Sequence, residues 1–133
     1  MSATESKTIK VLLVDDHNLL RESLTDSLSR LEDFEVVGQA ADGSEVLAVA
    51  RQTRPDVVIM DVSMPQMSGL HATQRLRLEM PQVRVVGLSM HTSQEMARAM
   101  RSAGAAAYLT KETSISTLVD VLRSVVDDRE SDV

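Results

Sequence analysis

The chain contains no cysteine and no tryptophan, and only one tyrosine and one phenylalanine among its 133 residues. Without thiols there is no disulfide framework, thiolate metal site or cysteine nucleophile, a usage suited to a reducing compartment. The scarcity of aromatic rings removes the stacking platforms of single-strand binders, and a formal charge of −6 removes the basic footprint that phosphate backbones require. Direct nucleic-acid binding by this chain is therefore not expected. No apolar run approaches the roughly 20 residues that span a bilayer, and residues 1–10 lack the apolar centre of a signal peptide. A cytoplasmic protein without membrane contact is expected. Long blocks of like charge and low-complexity tracts are also missing, while hydrophobic residues make up 43% and charged residues 26%. These are the proportions of one folded domain, of a size that buries about two thirds of its unfolded surface.

Five short apolar runs are present: Val11–Val14, Glu35–Ala40, Val57–Met60, Val83–Leu88 and Ala105–Leu109. Continuous runs rich in β-branched residues predict strands buried on both faces. Helical patterns lie between them. Leu20, Leu24, Leu28 and Leu31 share one helical face, as do Ile115, Leu118, Val119, Leu122 and Val126. Asp42 with Glu45 and Thr92 with Glu95 have capping-box spacing, and Pro55 and Pro81 each sit just before a strand. Strict alternation of strand and helix implies parallel strands with right-handed crossovers, a doubly wound α/β sheet with helices on both faces. The expected domain fills residues 9–127. Residues 1–8 read as a disordered flank, and residues 128–133 as a polar tail or the start of a linker.

The first strand ends in two adjacent carboxylates, Asp15 and Asp16, and the third ends at Asp61. In an open α/β sheet of strand order 2-1-3-4-5, these strand ends meet at the point where strand order reverses, the usual place for a ligand. Three converging carboxylates repel one another, and a hard divalent cation such as Mg²⁺ supplies the charge that keeps them ionised. The fourth strand delivers the hydroxyl of Ser89 and the fifth the ammonium of Lys111 to the same rim. An ammonium suits phosphate, a hydroxyl can donate to it, and a carboxylate can form an aspartyl phosphate. These parts suit phosphoryl transfer, with Asp61, the single carboxylate of its strand, as candidate nucleophile.

The ordered set "VDD" at 14–16, "MDVSMPQMSG" at 60–69, "LSMH" at 88–91 and "YLTKE" at 108–112 resembles the response-regulator receiver domains of two-component signalling. The wording of "DVSMP" and "YLTKETS" is most similar to the NarL/FixJ (LuxR-type) subfamily, whose members carry a C-terminal helix-turn-helix domain. The resemblance implies a flavodoxin-like sheet of five strands with five helices. It also implies a phosphoprotein switch rather than an enzyme acting on a separate substrate, catalysing only its own phosphorylation and dephosphorylation. Asp61 would accept phosphate from a sensor histidine kinase, with Mg²⁺ held by Asp16, Asp61 and the backbone carbonyl of Ser63, and by Asp15 through a water. Ser89 and Lys111 would hold the phosphoryl oxygens. Tyr108 is either a core aromatic with a wet tip or the ring that reports phosphorylation to the face of the fourth helix, fifth strand and fifth helix. A homodimer and a DNA-binding output domain are compatible partners, the latter if the chain is a fragment of a transcription regulator.

Other residues receive plainer readings. His17, His71 and His91 lack metal-ligand spacing and are read as non-ligands. Met96 and Met100 share a helix face and are assigned to the core. Pro65 and Gly69 shape the loop after Asp61. Two departures from the resemblance stand out: Asn18, where the subfamily often has proline, and Glu112, where many receivers have a proline in a cis peptide. A non-proline cis bond costs about 2.5–4 kcal/mol, so a trans Lys111–Glu112 peptide is expected. A Mg²⁺-dependent phosphatase of the haloacid-dehalogenase type is disfavoured, because its nucleophile and acid stand two apart on the first strand. An interaction module that never receives phosphate would usually lack Asp61, Ser89 or Lys111.

Overall fold

Each of the five apolar runs forms a strand, with bounds shifted by one or two residues from those expected. The computed structural model describes residues 8–62, 69–90 and 93–131, with the backbone alone for 128–131. Strands β1 (Ile9–Val14), β2 (Phe34–Ala40), β3 (Val57–Asp61), β4 (Arg84–Ser89) and β5 (Ala107–Thr110) alternate with helices α1 (Asn18–Ser29), α2 (Gly43–Thr53), α3 (Gly69–Glu79), α4 (Gln94–Ala103) and α5 (Ile115–Ser131). All pairings are parallel and the strand order is β2-β1-β3-β4-β5, as the alternation predicts. Among these residues no helix is long and apolar enough to cross a membrane.

The central strands are buried on both faces, and their alternate side chains feed two separate cores. Val11, Leu13, Val57, Ile59, Val86 and Leu88 face α1 and α5, packing against Leu28, Leu118 and Leu122. Leu12, Val14, Val58, Met60 and Val85 face α2, α3 and α4, packing against Val46, Leu76 and Met100. The period-two alternation of a strand explains the division. Edge strands β2 and β5 are only partly buried. Met100 is fully buried and Met96 packs against the second core, in line with the core reading.

Local signals set the boundaries. Asp42 caps α2 by accepting from the Ser44 N–H at 2.7 Å, while Glu45 reaches back to the Ala41 N–H at 3.2 Å. The cap of α4 is Ser93, which accepts from the Met96 N–H at 3.0 Å, rather than the expected Thr92, which lies outside the described residues. The capping hydroxyl stands one residue later than the spacing predicts, since either hydroxyl precedes the same helix. Ile115, assigned to the buried face of α5, is 40% exposed, because it opens the helix before the packed stripe begins. In the segment 128–133, expected as a polar tail or the start of a linker, the described residues continue α5 as helix to Ser131. The flank expected at residues 1–8 lies outside the described residues except for Thr8, which immediately precedes β1.

Two contacts hold the frame around the strand ends. Arg123 of α5 donates Nε and a terminal nitrogen to Asp33 at 2.8 and 3.0 Å and lies 5.5 Å from the centre of the Phe34 ring. The guanidinium beside Asp33 holds that carboxyl below the usual carboxylate range. Gly69, the first residue of α3, sits on the backbone of Asp61 and Val62: an added Cβ would press on the Asp61 carbonyl and stand 2.8 Å from the Val62 Cα. A side chain at 69 therefore displaces either α3 or the end of β3. Gly69→Ala should cost about 1–3 kcal/mol by overpacking, read as a lower urea midpoint. Unchanged stability would show that α3 shifts freely from Asp61.

Candidate functional site

Asp15 follows β1 directly, and its backbone N–H donates to the Ala40 carbonyl at 3.0 Å, so pairing with β2 fixes where the chain turns. One Asp15 oxygen accepts from the backbone N–H of His17 at 2.8 Å, an Asx-type turn that leads into α1. The Arg21 guanidinium donates to the Asp15 carbonyl and to Asn18, tying α1 to the turn. Asp61 is the last residue of the neighbouring β3, and its side chain is fully buried.

Lys111 stands between these two strand ends. Its backbone N–H donates to the Ser89 carbonyl at 2.8 Å, which carries the β4–β5 pairing one residue beyond β5. Its Nζ lies 2.9 Å from Asp15 Oδ2 and 3.3 Å from Asp61 Oδ2, with the Lys111 and Asp15 side chains each only 6% exposed. Burial alone would push the Asp15 carboxyl up, but the His17 N–H and the Lys111 ammonium outweigh it and hold the group below the usual carboxylate range. The Lys111–Glu112 peptide is trans, as expected.

Of the residues singled out from sequence, Asp15, Asp16, Asp61 and Lys111 converge. Asp16 is more open, with its side chain 35% exposed. Ser89 is buried at the end of β4, where it is paired with Thr110. Tyr108 is set back from the carboxylates, opposite Gly87. A Cβ at Gly87 would stand 3.2 Å from the Tyr108 ring and 2.9 Å from the Met100 methyl, so the missing side chain makes room for both. Ser63 and Pro65 lie outside the described residues, as does His91.

His17, read from sequence as a non-ligand, belongs to the cluster. Its Nδ1 lies 2.9 Å from Asp15 Oδ1, 3.2 Å from Asp16 Oδ1 and 3.5 Å from the Lys111 Nζ. One ligand atom from each of Asp15, Asp16, His17 and Asp61 falls within 4.8 Å of all the others. No histidine spacing rule could find it, because its partners are carboxylates from two strands. The signal that could have is the Asx turn, since an Asp at a strand end that caps the second residue on folds that residue back beside it. The predominance of carboxylate oxygens fits a hard divalent cation.

The sequence pattern of the response regulator receiver domain matches residues 11–123. The chain is 42% identical over 117 residues to the response regulator GacA of Pseudomonas aeruginosa, covering 88% of this chain and 55% of that protein. It is 40% identical over 117 residues to the response regulator protein VraR of Staphylococcus aureus, covering 87% and 56%. A crystal structure of a LuxR-family two-component response regulator from Aurantimonas superposes with a TM-score of 0.87 at 32% identity, covering 92% of this chain and 88% of that one. The chain thus spans about half the length of the curated relatives it matches. With the receiver pattern running from β1 into α5 and enclosing every carboxylate of the cluster, the chain belongs to the response regulator receiver domain family, in its NarL/FixJ-like branch.

Proposed function

We propose that this chain is a phosphorylation-activated switch whose phosphoacceptor is Asp61, served by a sensor histidine kinase. The observation that carries this reading is the buried Lys111 ammonium between Asp15 and Asp61. A buried lysine held by two acids is placed to follow negative charge from one partner to another as a phosphoryl group arrives. In the transfer, an Asp61 oxygen attacks phosphorus, the O–P bond forms and the P–N bond to the kinase imidazole breaks. The electron pair leaves with the imidazole nitrogen. Lys111 and the Ser89 hydroxyl hold phosphoryl oxygens, where charge-assisted hydrogen bonds are strongest.

Asp16 and Asp61, with the Ser63 carbonyl, would hold Mg²⁺, and Asp15 would act through a water. The ion would neutralise charge shared between phosphoryl and carboxylate oxygens. Asp15 is already engaged by Lys111 and the His17 N–H and is buried, while the Asp16 side chain, in contact with the His17 ring, stays 35% exposed, which supports that division. Readout would pass through Ser89 and Tyr108. A Ser89 hydroxyl drawn toward phosphate vacates space on the face that Gly87 and Tyr108 share, and the ring turns inward beside α4. In the longer relatives' arrangement, the surface of α4, β5 and α5 would then control a helix-turn-helix output domain or a homodimer.

Three outcomes test this reading. Incubation with a small phosphodonor and Mg²⁺ should add one hydroxylamine-sensitive phosphoryl group, seen by intact mass, and Asp61→Asn should accept none. Phosphate retained by that variant would move the acceptor elsewhere. Asp16→Asn should weaken Mg²⁺ binding beyond the roughly 10–100-fold typical of a supporting partner, and Asp15→Asn should stay within that range. Equal losses, measured by calorimetric titration, would refute the hierarchy. Ser89→Ala should still accept phosphate but leave amide shifts on α4 and α5 much smaller than in the parent, given the roughly 1.5–3 kcal/mol of a hydroxyl bond to a charged acceptor. Equal shifts in both proteins would route the signal past Ser89.

A further inference from the structure

We infer that Arg21 is a positioning residue of the cation site: by holding the peptide between Asp15 and Asp16, it aims the Asp16 carboxylate at the ion. This rests on the reading above that Asp16 and Asp61 hold a divalent cation. The half-buried Arg21 guanidinium uses all three of its nitrogens, each on a different residue. One terminal nitrogen donates to the Asp15 carbonyl, the other to the Asn18 side-chain oxygen, and Nε donates to the Gln39 side-chain oxygen at 3.1 Å. Gln39 lies on β2 and is itself tied to α1, since its amide nitrogen donates to Thr25 Oγ1 at 3.3 Å. The guanidinium thus joins the turn after β1 to an edge strand and to the first turn of α1.

The Asp15 carbonyl belongs to a planar unit that ends at the Asp16 Cα, so fixing its oxygen fixes where that Cα stands. The two acids differ in what else holds them. The Asp15 carboxylate is pinned by the Lys111 ammonium at 2.9 Å and the His17 backbone N–H at 2.8 Å. The Asp16 side chain, beside the His17 ring, is 35% exposed and takes its direction from the backbone. Rotation of the shared peptide leaves the first carboxylate anchored and swings the second away. Asn18 adds a hold particular to this chain: it stands where the subfamily often has proline, which offers no side-chain acceptor to the guanidinium. A lysine at position 21 presents its donors from one nitrogen and cannot reach three separated acceptors.

Charge and position predict opposite signs. Removing a cation near the carboxylates of Asp15, Asp16 and Asp61 tightens divalent binding, whereas losing the aim of Asp16 weakens it. The experiment is calorimetric titration of the full chain with Mg²⁺, paired with urea unfolding, for the parent, Arg21→Ala, Arg21→Lys and Asn18→Pro. Both Arg21 variants should bind Mg²⁺ about tenfold more weakly or worse, the loss typical of a supporting partner. Asn18→Pro separates aim from stability, since proline suits the first position of a helix and His17 before it is already extended, at φ −95° and ψ 106°. Its urea midpoint should not fall, while its Mg²⁺ affinity falls by less than that of Arg21→Lys. In the metal-free chain, the Asp16 amide resonance should move in Arg21→Lys, and an unmoved resonance would show that Arg21 does not hold this peptide. Tighter binding by Arg21→Ala would reduce Arg21 to a background charge, and losses confined to variants with a lowered urea midpoint would make it a support of the fold; either overturns the inference. If the parent binds no Mg²⁺, the cation reading fails and takes the inference with it, whereas parent binding that Arg21→Lys retains in full defeats only the role of Arg21.

Discussion

Two acids buried on neighbouring strands repel one another unless a positive charge stands between them, and in this fold Lys111 stands there. The requirement links the ends of β1, β3 and β5, which are distant in sequence and parallel in space. Lys111 reaches the acids because the β4–β5 pairing extends through its N–H to Ser89, and Asp61 is held in place by β3 beneath Gly69. Burial of an ion pair is weak evidence of stability, since desolvation offsets much of the attraction. Its value here lies in holding Asp15, Asp61 and the Lys111 ammonium within one small volume.

Much of this arrangement is legible in the sequence for a physical reason. Strands buried on both faces read as unbroken apolar runs, and helices that cover a sheet on one side read as a 3.6-residue stripe, so the alternation of the two fixes a parallel order with few alternatives. Asp15, Asp16, Asp61, Ser89 and Lys111 stand out because each terminates or follows such a run. His17 does not stand out, since its position depends on how a turn bends back rather than on any repeat. The Asp33–Arg123 fork is equally silent, because residues 33 and 123 are joined only by the packing of α5 beside β2. Boundaries are the other loss: either hydroxyl of Thr92–Ser93 suits a helix cap, and polar residues after 127 do not by themselves end a helix that began with a strong apolar face.

The two faces of the sheet are packed by different means. On the α1–α5 side, β-branched and leucine side chains interlock, and Arg123 fastens α5 to the start of β2. On the other side, Gly87 leaves space that is filled by a flexible methionine and a half-buried tyrosine. Methionine repacks at little cost, because its unbranched chain has several rotatable bonds.

The central place of β1 also has a consequence for how the chain comes to be folded. The first strand made is the one that must pair on both sides, with β2 and then with β3, whose last residue comes 46 positions after Asp15. A growing chain thus carries Asp15 and Asp61 well before the residue that stands between them, since Lys111 comes a further 50 positions later. The acidic strand ends are therefore complete only when β5, the last strand made, joins the sheet, so a chain truncated before Lys111 lacks the positive charge that Asp15 and Asp61 share.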